Sequence, residues 1–471
     1  MEYISTRGSA PALDFEGVTL AGLASDGGLY LPREWPRFSE AEIAAMRGLE
    51  YWQLAVRVMQ PFVGDSLTEE ELSEICKSVY CGSFSHAAVT PLVQLDQRNW
   101  LLELFHGPTL AFKDVALQLL GRFFDTFLRR RDERLTIVGA TSGDTGSAAI
   151  RGVMASEFVE IFMLHPRGKV SDVQRRQMTT VRAPNVHNMA IDGSFDDAQA
   201  HVKRMFGDAD VTGTLNLGAV NSINWARLMA QVVYYFYTAL QLGSPERRIV
   251  YSVPTGNFGD VFAGYVAAQM GLPIEKLIVA TNVNDILHRA LLNGDYSAGG
   301  VTATITPSMD IQVSSNFERL LFDCGGRDGA AMAEQMRAFE SRKAMALTNS
   351  QRDGARDLFL SCAAGQDETS QAMQWAHQQT GEVIDPHTAV GLHAAMALAK
   401  GGDYFDPGLP VVTLATAHPA KFRDAVERAT GFRPALPSRV GDLFGREEHF
   451  TELGGDYEAA RDFVLHNAAR T

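Results

Sequence analysis

The sequence predicts an α/β protein built on a largely parallel sheet, and three observations predict it. From about Asn99 onward, short apolar runs of strand length alternate with amphipathic stretches of helix length. Strands and helices alternating at that spacing form βαβ units, which build parallel sheets. Four of the turns between them carry unusual polar chemistry at strand ends, where ligands of parallel sheets collect. The 471 residues also exceed what one core supports, so two or three domains are expected.

Taken in order, residues 1–95 start irregularly, with many Gly and Pro, and then turn helical. Ser39 is a natural cap for a helix opening at Glu40, and 66–71 opens another with acids in its first turn, where the helix dipole favours them. Strands are expected at 100–105, 135–140, 159–164, 186–191, 248–253, 277–281 and 411–415. Helical patterns follow most of them, among them 113–130, 195–206 and 257–270. Between about 285 and 382 the pattern is mainly helical, an elaboration of the α/β part. The least polar stretch, 228–243, is shorter than a bilayer span and carries Gln231 and Gln241, so it reads as a buried helix.

Composition narrows the function classes. With 42 basic against 56 acidic residues, the net charge of −14 argues against a general nucleic-acid binder. The one basic run, Arg129-Arg130-Arg131, ends a helical pattern, where cations suit the dipole. Cys76, Cys81, Cys324 and Cys362 are too scattered for a disulfide scaffold and form no CxxC pair, so no metal is expected. The first seven residues lack the basic and apolar regions of a signal peptide. A soluble, cytoplasmic protein is expected, with no membrane partner.

The first polar turn runs from His106 to Asp114 and contains Lys113 at a helix start. A cation is electrostatically misplaced there, and burial with the dipole would lower its pKa, as suits a Schiff-base lysine. A surface lysine paired with Asp114 would show the same sequence. The second turn, Ala140-Thr141-Ser142-Gly143-Asp144-Thr145-Gly146-Ser147, offers hydroxyls and backbone N–H groups at a helix N-terminus, suited to a carboxylate. An ordinary cap by Ser142 or Asp144 is the alternative. The third, Pro254 to Asp260, has glycines that let amides close around a phosphate, although many such turns only cap helices. The fourth, from Leu414 through Thr416 to Phe422, puts a hydroxyl at a strand end, within reach of a ring nitrogen.

In this order the four turns resemble the fold type II family of pyridoxal-phosphate enzymes, and more closely the threonine synthases shared by many bacteria and fungi. Further matching segments are 3–8, 24–30, 221–227, 307–311 and 385–388, so the likeness spans residues 3 to 422. It implies parallel sheets flanked by helices, with a mainly helical N-terminal domain over 1–95. A large cofactor-binding domain would cover 96–134 and 221–430, a small substrate-closing domain 135–220, and a C-terminal segment 431–471.

By the same resemblance, Lys113 carries pyridoxal 5'-phosphate and is the catalytic amine. Gly256, Asn257, Phe258 and Gly259 wrap the cofactor phosphate with Asp260 beside them, and Thr416 meets the pyridine nitrogen. Thr141, Ser142, Asp144 and Thr145 grip the substrate α-carboxylate. Ser222, Asn224 and Arg227 take a substrate phosphate, for which the guanidinium fork is well matched; a structural salt bridge is the alternative for Arg227. The implied reaction turns O-phospho-L-homoserine and water into L-threonine and phosphate, in a monomer or homodimer. A phospholyase releasing a 2-oxo acid and a non-catalytic binding protein of the same fold are the competing readings.

Overall fold

The computed structural model describes residues 1–402 and 404–469. Its strands are β1 (Tyr3–Ser5), β2 (Tyr30–Pro32), β3 (Leu92–Gln94), β4 (Asn99–Glu103), β5 (Leu135–Ala140), β6 (Val159–Pro166), β7 (Val186–Ile191), β8 (Leu217–Gly218), β9 (Ile249–Pro254), β10 (Ile274–Thr281), β11 (Asp295–Ser297), β12 (Ala344–Ala346), β13 (Phe359–Ala363), β14 (Val411–Ala415) and β15 (Thr451–Leu453). The first eleven helices are α1 (Phe15–Ala21), α2 (Glu40–Ala45), α3 (Tyr51–Val63), α4 (Glu69–Tyr80), α5 (Lys113–Arg131), α6 (Asp144–Val153), α7 (Asp172–Thr179), α8 (Phe195–Gly207), α9 (Ala209–Thr212), α10 (Trp225–Gln241) and α11 (Gly259–Gln269).

Two sheets carry the fold. The larger has the order β13-β10-β9-β14-β4-β3, parallel throughout except for β3 against β4. The smaller, β15-β7-β6-β5-β8, is wholly parallel. Strands β9 and β14 are buried at every position, which is why they appear as unbroken apolar runs rather than alternating ones. Helix α10 is buried along nearly its whole length and packs against α3, α5 and α11, as the apolar stretch around 228–243 predicts. Ser39 and Glu42 form a capping box on α2, and Thr68 and Glu71 another on α4.

The order β9-β14-β4 places three of the four polar turns on neighbouring strands, because each turn leaves a C-terminal strand end. Backbone bonds join two of them: Phe112 N donates to Thr416 O at 2.8 Å, and His418 N to Leu110 O at 3.0 Å. The remaining turn, Ala140–Ser147, follows β5 in the smaller sheet.

Several expectations need correction. The stretch 285–382 holds β11, β12 and β13 as well as helices, and β13 is an edge strand of the larger sheet. The C-terminal segment, given no elements from the sequence, joins the smaller sheet: β15 extends it and the helix Tyr457–Asn467 buries Tyr457, Ala460 and Val464 in that sheet's core. Residues 92–94, grouped with the N-terminal part, form β3 of the larger sheet. Helix α11 starts at Gly259, not 257, because Phe258 has φ +62°, a left-handed conformation that cannot continue a helix. Among the described residues no helix is long and apolar enough to cross a membrane.

Candidate active site

Turns of both sheets meet around a cavity of about 660 Å³. Lys113, the first residue of α5, lines it and is buried. The preceding turn is tight: Leu110 has φ +64°, and Asp114 folds back to accept bonds from Thr109 N and Oγ1, both at 2.8 Å. Asp114 is therefore engaged within its own turn, and the alternative of a surface Lys113–Asp114 pair is excluded. The Lys113 Nζ lies 3.6 Å from Asp144 Oδ2 and 4.8 Å from the centre of the Phe112 ring. Burial depresses the lysine pKa; Asp144 opposes that, while Lys421 and Arg227 add to it. Burial would raise the Asp144 pKa, but Lys421 and Lys113 hold it far below the usual carboxylate range.

The glycine turn forms a cup. A Cβ on Gly256 would come within 2.6 Å of the Ser308 carbonyl oxygen, so only glycine fits against that loop. Phe258 turns its ring into the core against Phe317, 5.1 Å between centroids, and no side chain caps α11. The first-turn amides of α11 thus face the cavity end of the helix without a side-chain partner of their own. Asn257 and Gly259 line the cavity with it. Asp260 is buried; Tyr234 and Tyr235 donate to its Oδ1 at 2.5 and 3.1 Å, yet burial still pushes its pKa up to about 6.

On the smaller sheet, Gly143 is the N-cap of α6 at φ +135°, and Thr141 Oγ1 accepts from Gly143 N and Gly146 N, both at 2.9 Å. The alternative, an ordinary cap by Ser142 or Asp144, is not what forms: Gly143 holds the cap position and Thr141 supplies the acceptor. Ser142, Asp144 and Thr145 line the cavity, as does Thr416.

Arg227 lies in the first turn of α10, buried and lining the cavity, with no ion pair among the described residues. Its Nε and Nη1 have no hydrogen-bond partner, and burial lowers its pKa to about 10. The salt-bridge alternative therefore fails. Ser222 lines the cavity too, 3.0 Å from Ser315 Oγ. Asn224 does not: it is the N-cap of α10, accepting from Ala226 N at 3.0 Å and donating to Thr19 O at 2.9 Å. Its implied contact with a substrate phosphate is replaced by a structural role.

Residues not singled out from the sequence also line the cavity, notably Phe195, Asp196 and Gln199 at the start of α8. Sequence signals there are those of an ordinary acidic first turn. Ser308 and His387 lie within matching segments and are joined here, Ser308 N donating to His387 Nε2 at 3.3 Å.

These residues fit pyridoxal phosphate. The glycine cup leaves a helix N-terminus for the phosphate, a buried lysine of lowered pKa stands ready for the aldehyde, and the Thr416 hydroxyl lines the same cavity.

Comparisons with known proteins agree. The family models described as threonine synthase N terminus, pyridoxal-phosphate dependent enzyme, and threonine synthase, C-terminal match residues 2–80, 84–351 and 388–464. A threonine synthase of Pseudomonas aeruginosa is 53% identical, covering 100% of this chain and 99% of that one. A threonine synthase of Saccharomyces cerevisiae is 42% identical over 91% and 89%. The crystal structure of a PLP-bound threonine synthase from Brucella melitensis matches with a TM-score of 0.95 at 50% identity, covering 99% of each chain. On these matches, which cover the chain from end to end, the chain belongs to the threonine synthase family of pyridoxal-phosphate-dependent enzymes.

Proposed function

We propose that this chain converts O-phospho-L-homoserine and water to L-threonine and inorganic phosphate. The observation that carries the reading is Arg227, a buried guanidinium lining the cavity with two unpartnered nitrogens. The glycine cup answers the cofactor phosphate and the α6 turn a carboxylate, so a further cation calls for a substrate with a second anionic group. A buried charge without a partner is costly, and a phosphate would satisfy both its charge and its fork.

Lys113, the 256–259 cup and Thr416 would hold pyridoxal phosphate, which would supply an electron sink for charge developing at Cα. The α6 turn, with Thr145 and Ser142 beside it, holds the α-carboxylate and so fixes which substrate face meets Lys113. Lys113 is the lysine lining the cavity, and its lowered pKa suits it to move protons at Cα, Cβ and Cγ. Arg227 and Ser222 hold the departing phosphate, after which water adds at Cβ. Phe195, half-buried, adds an aromatic ring to the cavity wall. The same reading assigns the enzyme to the cytoplasm as a monomer or homodimer, in keeping with its acidic charge and scattered free cysteines.

The test is to identify the products from O-phospho-L-homoserine. Threonine and phosphate in equal amounts are expected. Phosphate with a 2-oxo acid and ammonia would make the protein a phospholyase, and no turnover in the cofactor-loaded protein would make it a binding protein.

A further inference from the structure

One buried charge has no part in the chemistry above. Lys421 sits on the turn Pro419–Phe422 after β14; its side chain is 0% exposed, and it is absent from the cavity wall. Its partners are specific. Nζ is 2.7 Å from Asp144 Oδ1 and donates to Thr109 O at 2.8 Å. Thr109 belongs to the Lys113 turn, and Asp144 opens α6. Two side chains of α7 reach the same acceptors: Gln174 Nε2 donates to Asp144 Oδ1 at 2.8 Å, and Gln177 Nε2 to Thr109 O at 2.9 Å. The other Asp144 oxygen faces Lys113. One ammonium thus joins the turn that carries the reacting amine to the turn that opens the small-sheet helix.

We propose that Lys421 is a positioning residue for the reaction: by holding Asp144 Oδ1 and Thr109 O together it aims Asp144 Oδ2 at Lys113 and orients the amine across the seam between the sheets. Lys421 acts through Asp144 and touches no substrate. The inference rests on Lys113 being the reacting amine. The charged groups facing Lys113 are Asp144 from α6, Lys421 from its turn, Arg227 from α10 and Asp260 from α11. Lys421 discourages protonation of Lys113 directly through like charge, and indirectly by sharing Asp144. Without it, Asp144 serves Lys113 alone, so both effects favour the protonated amine.

Lys421→Gln tests this, because glutamine keeps a donor for Thr109 O and removes the charge. In the cofactor-loaded enzyme, kcat is expected to fall about 10- to 100-fold with KM within about threefold, as for lost orientation rather than lost binding. In the cofactor-free full chain, acetylation of Lys113 followed by mass spectrometry should show its pH midpoint raised by about one unit or more. In an Asp144→Asn background, Lys421→Gln should cost little more, because the two act as one device. Parent-like kcat, an unmoved midpoint, or losses that multiply would each overturn the proposal. Should Lys421→Gln not fold, Lys421→Arg decides: a fallen kcat with the parent's midpoint supports positioning, and a parental kcat overturns it. The labelling uses no substrate, so its failure is distinct from failure of the parent enzyme to make threonine.

Discussion

The two halves of the cavity are held together in different ways. The cofactor side is backbone work: β4 and β14 are paired in register from Asn99–Val411 to Glu103–Ala415, and their turns are joined by Phe112 N to Thr416 O. The substrate side is held by side chains: Thr141 closes the α6 turn, Gln174 and Lys421 hold Asp144, and Gln177 reaches Thr109. A sheet ladder cannot yield locally without losing several bonds, whereas single side-chain contacts can part and re-form. The two walls divide the labour. On the proposed reading, the cofactor would be gripped by turns tied to strands, and the substrate would meet a wall held by side chains that can part.

The sharpest break of this comparison is at Lys113, which serves both sides. Lys113→Ala should lower threonine formation by about 10³-fold or more, since no other lysine among the described residues lines the cavity. Borohydride should fix the cofactor to the peptide carrying Lys113 in the parent and to none in the variant. Label on another lysine would move the reaction centre elsewhere. A cofactor-side change follows in size. Gly256→Ala sets a Cβ at 2.6 Å from a backbone oxygen, which cannot swing away as a side chain would. An overpacking cost of about 1–3 kcal/mol should weaken cofactor binding roughly 10- to 100-fold. With cofactor in excess, KM for substrate should stay near the parent value, and a large change in KM would show that the halves are not separable.

Arg227→Lys probes the other wall. Lysine keeps the charge but loses the fork, so kcat/KM should drop about tenfold while the cofactor spectrum is unchanged. Kinetics within twofold of the parent would return Arg227 to a structural role.

Much of the frame was legible in the sequence because the strands of both sheets are largely buried apolar runs. The bounds of β5, β7 and β14 follow from the apolar runs at 135–140, 186–191 and 411–415. The four polar turns lie directly after the runs at 100–105, 135–140, 248–253 and 411–415. Strands β11 and β12 escaped because three residues are too few for a period to register, and β13 because its neighbours are helical. Asn224 misleads for a physical reason: an asparagine at a helix start can cap the helix or hold an anion, and only the 2.9 Å bond to Thr19 O, 205 positions away, decides. Lys421 and Phe195 reach the site through tertiary contacts that no local pattern encodes.

The gentlest change, Thr141→Val, tests whether the substrate wall really stands apart. Valine has the shape of threonine and no acceptor, so the N–H groups of Gly143 and Gly146 lose their shared oxygen in a buried turn. Leaving buried donors unmade costs about 1–3 kcal/mol, but here the loss falls on a turn whose purpose is to present amides to an anion. Part of the cost should therefore appear as a looser turn rather than as unfolding. The expected result is a KM for O-phospho-L-homoserine raised about three- to tenfold, with kcat, cofactor spectrum and cofactor affinity close to the parent. Thr141→Ser, which restores the acceptor, should recover most of the KM. If Thr141→Val instead loosens the cofactor as much as the substrate, strain in the α6 turn passes through Asp144 to the Lys113 turn, and the two walls form one rigid unit.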